Sequence, residues 1–412
     1  MRKRASLLLA AALIAATAAV PGGTALANHG GSLTVQVSQR LNGVPGESLR
    51  FLSPYTVRVH RGDTVTFDLR NGHSAGLLPE DESAQDWLDE NWYSPNGQYS
   101  PLVEDDEPGE LIDNFIRIDR PSDQACGNTA EPACEYNGNS FVYSGTVFGQ
   151  PPPPDGQEPP ESLTFTTTID APPGTRIWVV NLVFPRERMK IQVVQNNEPA
   201  TTQGQIDTAR AAQLAADQEW ADAMHAKMKK KRTSHVAADG TRVWDAWAGV
   251  DNDHASLNQF YPRKLKVKKG QRVRWHFSQD LNQVHTVSMP FPRIFEEPFE
   301  FFGSFECDSP TAADTAAPPP PSQEEEPTCP EGTTLEFEFG PFATGAGNGT
   351  WTGNNDVEHS GLRGADLQHL SPPLHYKDPF TVRMNKVTGK QPMQYLCAIH
   401  DGMFGTVTVR NT

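Results

Sequence analysis

The chain has 412 residues, 37% of them hydrophobic and 21% charged, with 33 Gly and 35 Pro. That is a loop-rich globular profile, too long for one small domain and unlike collagen, a coiled coil or a disordered chain. Lys and Arg number 35 against 51 Asp and Glu, a formal charge of −16, the sign opposite to that of a nucleic-acid binder.

Residues 1–27 are expected to be a signal peptide. MRKR is followed by the apolar run ASLLLAAALIAATAAV and by Ala25-Leu26-Ala27, a small-x-small cleavage site ahead of Asn28. The leader holds Arg2, Lys3 and Arg4 and no acid, so cleavage leaves 32 basic against 51 acidic residues, net −19. No later stretch approaches the roughly 20 apolar residues that span a bilayer. The mature protein is therefore expected to be secreted or extracytoplasmic, with no membrane span and no nucleic-acid partner.

The remainder repeats itself. PYTVRVHRGDTVTF from Pro54 and PRKLKVKKGQRVRW from Pro262 align at an offset of 208, with Gly62 and Gly270 in register. Alternating apolar and polar residues around a glycine turn predict a β-hairpin at a sheet edge. Further on, Ser144-Gly145 matches Ser360-Gly361 at 216, Phe165 matches Phe380 at 215, and IQVV (191–194) matches VTVR (407–410) at 216. Short strands separated by long Gly/Pro loops predict an all-β protein of two β-sandwiches, the first over 28–198 and the second over 241–412.

Residues 199–240 between them carry QIDTARAAQLAADQEWADAMHAKMKKKR, with Ile206, Leu214, Ala221, Met224 and Met228 at helical spacing and lysines gathered late. A helical linker follows. Met224, His225 and Met228 could make a soft metal site, but the apolar stripe already accounts for both methionines. Each repeat also holds a Pro-rich insertion, PPPPDGQEPP (151–160) and PPPPSQEEEP (318–327), expected to be extended and solvated.

Five cysteines in an oxidising compartment leave one over. Cys126 and Cys134 lie close in one loop, and Cys307 and Cys329 flank another, so disulfides Cys126–Cys134 and Cys307–Cys329 are expected. Cys397 remains, in QYLCAIHDGMFGTVTV. Cys397, His400 and Met403 form Cys-x-x-His-x-x-Met, a thiolate, an imidazole and a thioether on one tight loop, which are three ligands of a mononuclear copper centre. His285, in NQVHTVSMPFP after the Gly270 strand, is the expected second imidazole; His359, His369 and His375 are the alternatives. Zinc is disfavoured, because the other cysteines lack the paired spacing of such sites.

On these residues the second repeat resembles the plastocyanin/azurin class of cupredoxins, with a short amicyanin-like ligand loop. The resemblance implies a Greek-key β-sandwich, one copper per chain held by His285, Cys397, His400 and Met403, and single-electron transfer. It also places Thr286 where the family often ties the two ligand loops together, and puts His400 at an apolar docking patch, here with Met403, Phe404 and Met289-Pro290-Phe291-Pro292. At an offset of 216 the first repeat offers Asn181, Phe184 and Glu187 where the second has Cys397, His400 and Met403. It is expected to be a degenerate cupredoxin without copper, with His73 an ordinary loop histidine.

Multicopper oxidases and copper nitrite reductases also use tandem cupredoxin domains, but with His-x-His and His-Cys-His patterns that this chain lacks. A blue copper electron carrier that is not an enzyme is therefore expected, exchanging electrons with a redox protein partner of basic charge. The alternative is secreted copper storage or delivery, or a non-redox binding protein on the same scaffold.

Overall fold

A computed structural model describes residues 31–70, 73–80, 83–91, 134–144, 162–182, 186–277, 284–291, 303–308, 334–339, 345–353, 357–364, 379–400 and 402–411. The expected leader, both Pro-rich tracts and the two expected disulfides fall outside the described residues or, for Cys134 and Cys307, outside the described side chains.

In the first repeat the strands are β1 Ser32–Arg40, β2 Gly46–Leu52, β3 Thr56–His60, β4 Thr64–Arg70, β5 Gly76–Leu77, β6 Cys134–Tyr136, β7 Val142–Tyr143, β8 Ser162–Ile169, β9 Arg176–Val180 and β10 Arg188–Val194. A helix, α1 (Ala84–Asn91), interrupts them and stacks Trp87 on Phe141 at 4.7 Å. After α2 (Gln203–Lys230), the second repeat opens with β11 Thr233–Val236, β12 Arg242–Asp251, β13 Ala255–Tyr261, β14 Lys264–Lys268, β15 Arg272–Phe277 and β16 Ser288–Met289. It continues with β17 Gly303–Asp308, β18 Thr334–Phe339, β19 Thr350–Trp351, β20 Glu358–His359, β21 Phe380–Met384, β22 Met393–Leu396 and β23 Phe404–Arg410.

The result is a pair of β-sandwiches. In the first, β2-β1-β4-β8-β6 faces β3-β10-β9-β5-β7; in the second, β13-β12-β15-β21-β19 faces β14-β23-β22-β16-β20. Alternation in the sequence becomes alternation in burial, since successive side chains of a strand point to opposite faces. Val65, Phe67 and Leu69 of β4 are fully buried, as are Val273 and Trp275 of β15. The offsets read from the sequence recur in the strand registers. Ile191 pairs with Val57 and Val407 with Leu265; Phe67 pairs with Phe165 and Trp275 with Phe380.

The expected hairpins do not form. β3 lies in one sheet and β4 in the other, and β14 and β15 are divided in the same way. Gly62 and Gly270, at φ of 91° and 87°, carry the chain between the two layers. Alternation reports that one face of each strand is buried; it does not report which strand lies alongside.

The two repeats are joined by more than the helix. β2 pairs antiparallel with β13, with Gly46 opposite Leu257, Glu47 opposite Ser256 and Ser48 opposite Ala255, so one sheet continues through both sandwiches. Gly46 is required there, because a Cβ would lie 2.2 Å from the carbonyl oxygen of Ser256. Helix α2 opens on a capping box between Thr202 and Gln205 and ends on Lys227, Lys229 and Lys230, which suit its negative end. It buries Ile206 in the first core, and Ala221 and Met228 against Leu257 and Tyr261 of the second. The buried Asp217 on the same helix accepts from Ser48 at 2.7 Å and is paired with Arg50 at 2.8 Å, which ties α2 to β2.

Candidate metal centre

Two loops at one end of the second sandwich bring the donors together. His285 stands ahead of β16, its backbone N–H and C=O both bonded to Arg363, at 2.7 and 2.9 Å. Cys397 directly follows β22 and Met403 precedes β23. The Cys397 N–H donates to the Met403 carbonyl at 3.0 Å and the Met403 N–H to that of His400 at 3.2 Å, while Gly402 at φ 75° turns the chain back. Thr286 fastens the two loops: its hydroxyl accepts from the Ala398 N–H at 2.7 Å and its own N–H points at Cys397 Sγ, 3.3 Å away.

Within this frame Cys397 Sγ lies 3.5 Å from Nδ1 of His400 and 4.0 Å from Nδ1 of His285. The two rings are 4.6 Å apart, centre to centre. Among the described residues, His285, Cys397 and His400 are the group of ligand-type side chains whose donor atoms all lie within 4.8 Å of one another. His285 and Met403 are fully buried, Cys397 nearly so with a free thiol, and His400 is half-buried.

The electrostatics prepare these groups for a metal. Burial pushes the Cys397 thiol up, but the neighbouring His400 and His285 imidazoles outweigh it and hold the thiol well below its ordinary value. Burial lowers His285, which keeps the ring neutral near pH 7 with a lone pair to offer. A thiolate and two imidazoles in a nearly dry site match the donor set of a copper centre. His285 Nε2 is buried with no hydrogen-bond partner among the described residues, so this ring is placed for its Nδ1 side.

The first repeat preserves three hydrogen bonds of the frame and changes the donors. The Asn181 N–H donates to the Glu187 carbonyl at 3.0 Å, as Cys397 does to Met403. The Leu182 N–H donates to the Ser74 hydroxyl at 3.1 Å, as Ala398 does to Thr286, and Ala75 to Ser144 at 2.9 Å, as Val287 does to Ser360. His73 therefore occupies the place of His285. The expectation of an ordinary loop histidine is corrected here, because the His73 side chain is fully buried. Its Nδ1 lies 3.0 Å from Glu187 Oε2 and 2.9 Å from Asn181 Nδ2, and Glu47 Oε2 is 4.0 Å from Nε2. Burial pulls its pKa down, yet Glu187 and then Glu47 more than reverse this and leave it raised. A polar side-chain cluster fills the space that three ligand-type side chains occupy in the second repeat. Phe184 lies outside the described residues.

The remaining sequence candidates sort out by packing. His359 is buried on β20, with its Nδ1 accepting from the Gly361 N–H at 2.8 Å, and does not join the group; His369 and His375 lie outside the described residues. His225 Nδ1 is 2.7 Å from the Tyr261 hydroxyl, and Met224 and Met228 pack in the same interface cluster. Met289, Pro290 and Met403 are buried, which reduces the expected apolar patch to Phe291 and Phe404, edge to face at 5.8 Å. Pro292 lies outside the described residues.

No protein-family model matches the chain, and no curated protein matches it. Among solved structures it resembles the multicopper oxidase mgLAC at 13% identity and a TM-score of 0.16, covering 62% of this chain. The chain spans only 63% of that oxidase's length. It resembles a copper nitrite reductase from Nitrosomonas europaea at 12% identity and a TM-score of 0.18, covering 92% of this chain and 94% of the other. A Cu-containing nitrite reductase (NirK) from Thermus scotoductus SA-01 follows at 9% identity and a TM-score of 0.21, covering 92% and 99%.

One expectation is corrected here. The lack of His-x-His and His-Cys-His does not exclude an enzyme, since the similar structures are named as copper enzymes. The physical reason is that adjacent-residue motifs sample only neighbours in sequence. His285 and Cys397 meet across 112 residues, and other sites can be assembled in the same way. Among the described residues, no helix is long and apolar enough to cross a membrane.

Proposed function

We propose that this is an exported copper protein of the plastocyanin/azurin kind, which takes up and gives out single electrons at one mononuclear copper per chain. Its ligands would be His285, Cys397, His400 and Met403, and its setting the cupredoxin-like repeat at 241–412. The observation that carries the reading is the position of Cys397 Sγ, 3.5 and 4.0 Å from two imidazole nitrogens in a nearly dry site. Bound there, copper supplies a one-electron couple, to which a thiolate, two imidazoles and a weak thioether are suited in both oxidation states.

The chain's own residues do the rest. Thr286 and the Cys397–Met403 backbone bond fix the donors before any metal arrives, which reduces rearrangement when charge changes. Burial of His285 and Met403 excludes water, while the half-buried His400 leaves one edge of the site within reach of a partner. The first repeat, with its hydrogen-bonded cluster at the equivalent place, is read as a supporting sandwich over 28–198.

Purified protein loaded with copper should bind about one equivalent and show an intense visible thiolate-to-copper absorption that bleaches and returns on reduction and reoxidation. Cys397→Ser should abolish the colour, whereas Met403→Leu should keep it and move the potential, because the axial bond is weak. A colourless complex that yields its copper to chelators without redox cycling would overturn this reading in favour of storage or delivery.

A further inference from the structure

Strand β12 carries a bulge between Ala248 and Val250, where its pairing with β13 slips by one residue. Gly249 sits in that bulge at φ 72°. Its Cα faces the His285 ring so closely that a Cβ would lie 2.1 Å from Nε2 and 2.7 Å from both Cδ2 and Cε1. Contacts under about 3 Å are not tolerated between such atoms, so any side chain at this position requires the ring, or the strand, to move.

Positive φ alone does not explain the glycine. The first repeat has the same bulge in β1, between Val37 and Gln39, and Ser38 occupies it at φ 63°. The two bulges are equivalent by register: Val37 pairs with Leu69 just before one, and Ala248 with Phe277 just before the other. The fold therefore accepts a left-handed residue with a side chain in this place. Ser38 is fully buried and its hydroxyl reaches Glu47 at 3.4 Å. The repeat with the hydrogen-bonded cluster fills its bulge; the repeat with the Cys/His/His group leaves its bulge bare.

We infer that Gly249 is the seat of His285, a positioning residue whose missing side chain lets the imidazole sit with Nδ1 toward Cys397 Sγ. This rests on the reading of His285 as a copper ligand, and extends it to the residue that sets the ring's place. The His285 Nε2 edge lies against bare backbone, so the ring's depth is governed by contact with the strand floor. A β-carbon there would drive the ring toward the donors opposite it.

The sister repeat supplies the test variant. Gly249→Ser in the full chain is expected to weaken copper binding by about 10–100-fold, the range seen when residues that orient metal ligands are lost, and to shift the position or intensity of the visible absorption. Gly270→Ala is the strain control, since Gly270 has φ 87° with nothing within 4 Å of its would-be Cβ; it should leave affinity and spectrum alone. A double-mutant cycle on metal-free full-length protein separates this inference from the copper reading. If the clash is with His285, the loss of thermal stability caused by Gly249→Ala should shrink by about half or more in a His285→Gly background. An undiminished loss there, or a Gly249→Ser protein with unchanged affinity and spectrum, would overturn the inference. Coupling in the cycle without any blue colour in the wild type would keep the seat and discard the copper function.

Discussion

The hydroxyl of Thr286 accepts a 2.7 Å hydrogen bond from the backbone N–H of Ala398, and this bond holds together two loops that are 112 residues apart in sequence. Its counterpart in the first repeat, between Ser74 and Leu182, survives although the donors around it have changed. The clamp therefore belongs to the fold and not to the metal. Thr286→Val preserves the shape and the N–H that points at Cys397 Sγ, but leaves the half-buried Ala398 N–H without its acceptor. A loss of about 0.5–1.5 kcal/mol in the stability of metal-free protein is expected, the net contribution of one such hydrogen bond. Chemical denaturation measures it, and the blue absorption should remain. A stability unchanged within error would show that water replaces the clamp.

His73 makes the first repeat sensitive to pH. Its folded pKa is raised above the ordinary value of about 6.5, because Glu187 and Glu47 outweigh burial. A group whose folded pKa is raised binds its proton more tightly in the native state, so its stabilisation is complete below about pH 6.5 and fades as pH climbs through the folded value. Glu187→Gln removes the nearer charge, 3.0 Å away. The variant should therefore lose about 1.5–3 kcal/mol relative to wild type at pH 6, the scale of a hydrogen bond to a charged group, and visibly less at pH 9. Unfolding curves at the two pH values test this, and a difference that grows with pH would mean that His73 is buried neutral.

Much of this architecture was legible in the sequence, and the exceptions share a cause. Strands such as Thr64–Arg70 and Arg272–Phe277 could be anticipated because apolar-polar alternation is a local signal that any half-buried strand must obey, and because the pattern recurs in both repeats. The proximity of Cys397 and His400 was legible because a Cys-x-x-His spacing on one tight loop brings the two side chains together. What escaped depends on contacts between distant segments. The β2–β13 joint is made by backbone groups, which GESLRFL and ASLNQFY do not advertise. RNGHSAG reads as exposed text, yet the fold turns His73 inward at the same place as His285. Gly249 is not legible because a bulge breaks alternation by a single residue, and one glycine in WAGVDN carries no hint of the ring that lies over it. The Gly62 and Gly270 turns were located correctly but given the wrong partners, since a turn between layers and a hairpin turn use the same residue.

Docking is the last expectation open to measurement. Phe404 is 38% exposed, packs edge to face on Phe291 at 5.8 Å and follows Met403 directly, so it stands at the end of the sandwich where His400 is half-buried. Among the described residues these two rings form the apolar face there, a size suited to brief encounters and not to a lasting complex. A chain of −16 formal charge would draw a basic redox protein toward it, with an exchange rate that falls as salt screens the attraction. Phe404→Glu keeps the backbone pairing with Leu396 but sets a carboxylate on the face. Electron exchange with a basic redox partner should slow by about tenfold, the equivalent of 1.4 kcal/mol in the encounter, while the copper absorption and its potential stay near wild type. Stopped-flow rates at two ionic strengths read both effects at once. An unchanged rate with the colour intact would move the docking face away from His400, toward another edge of the molecule.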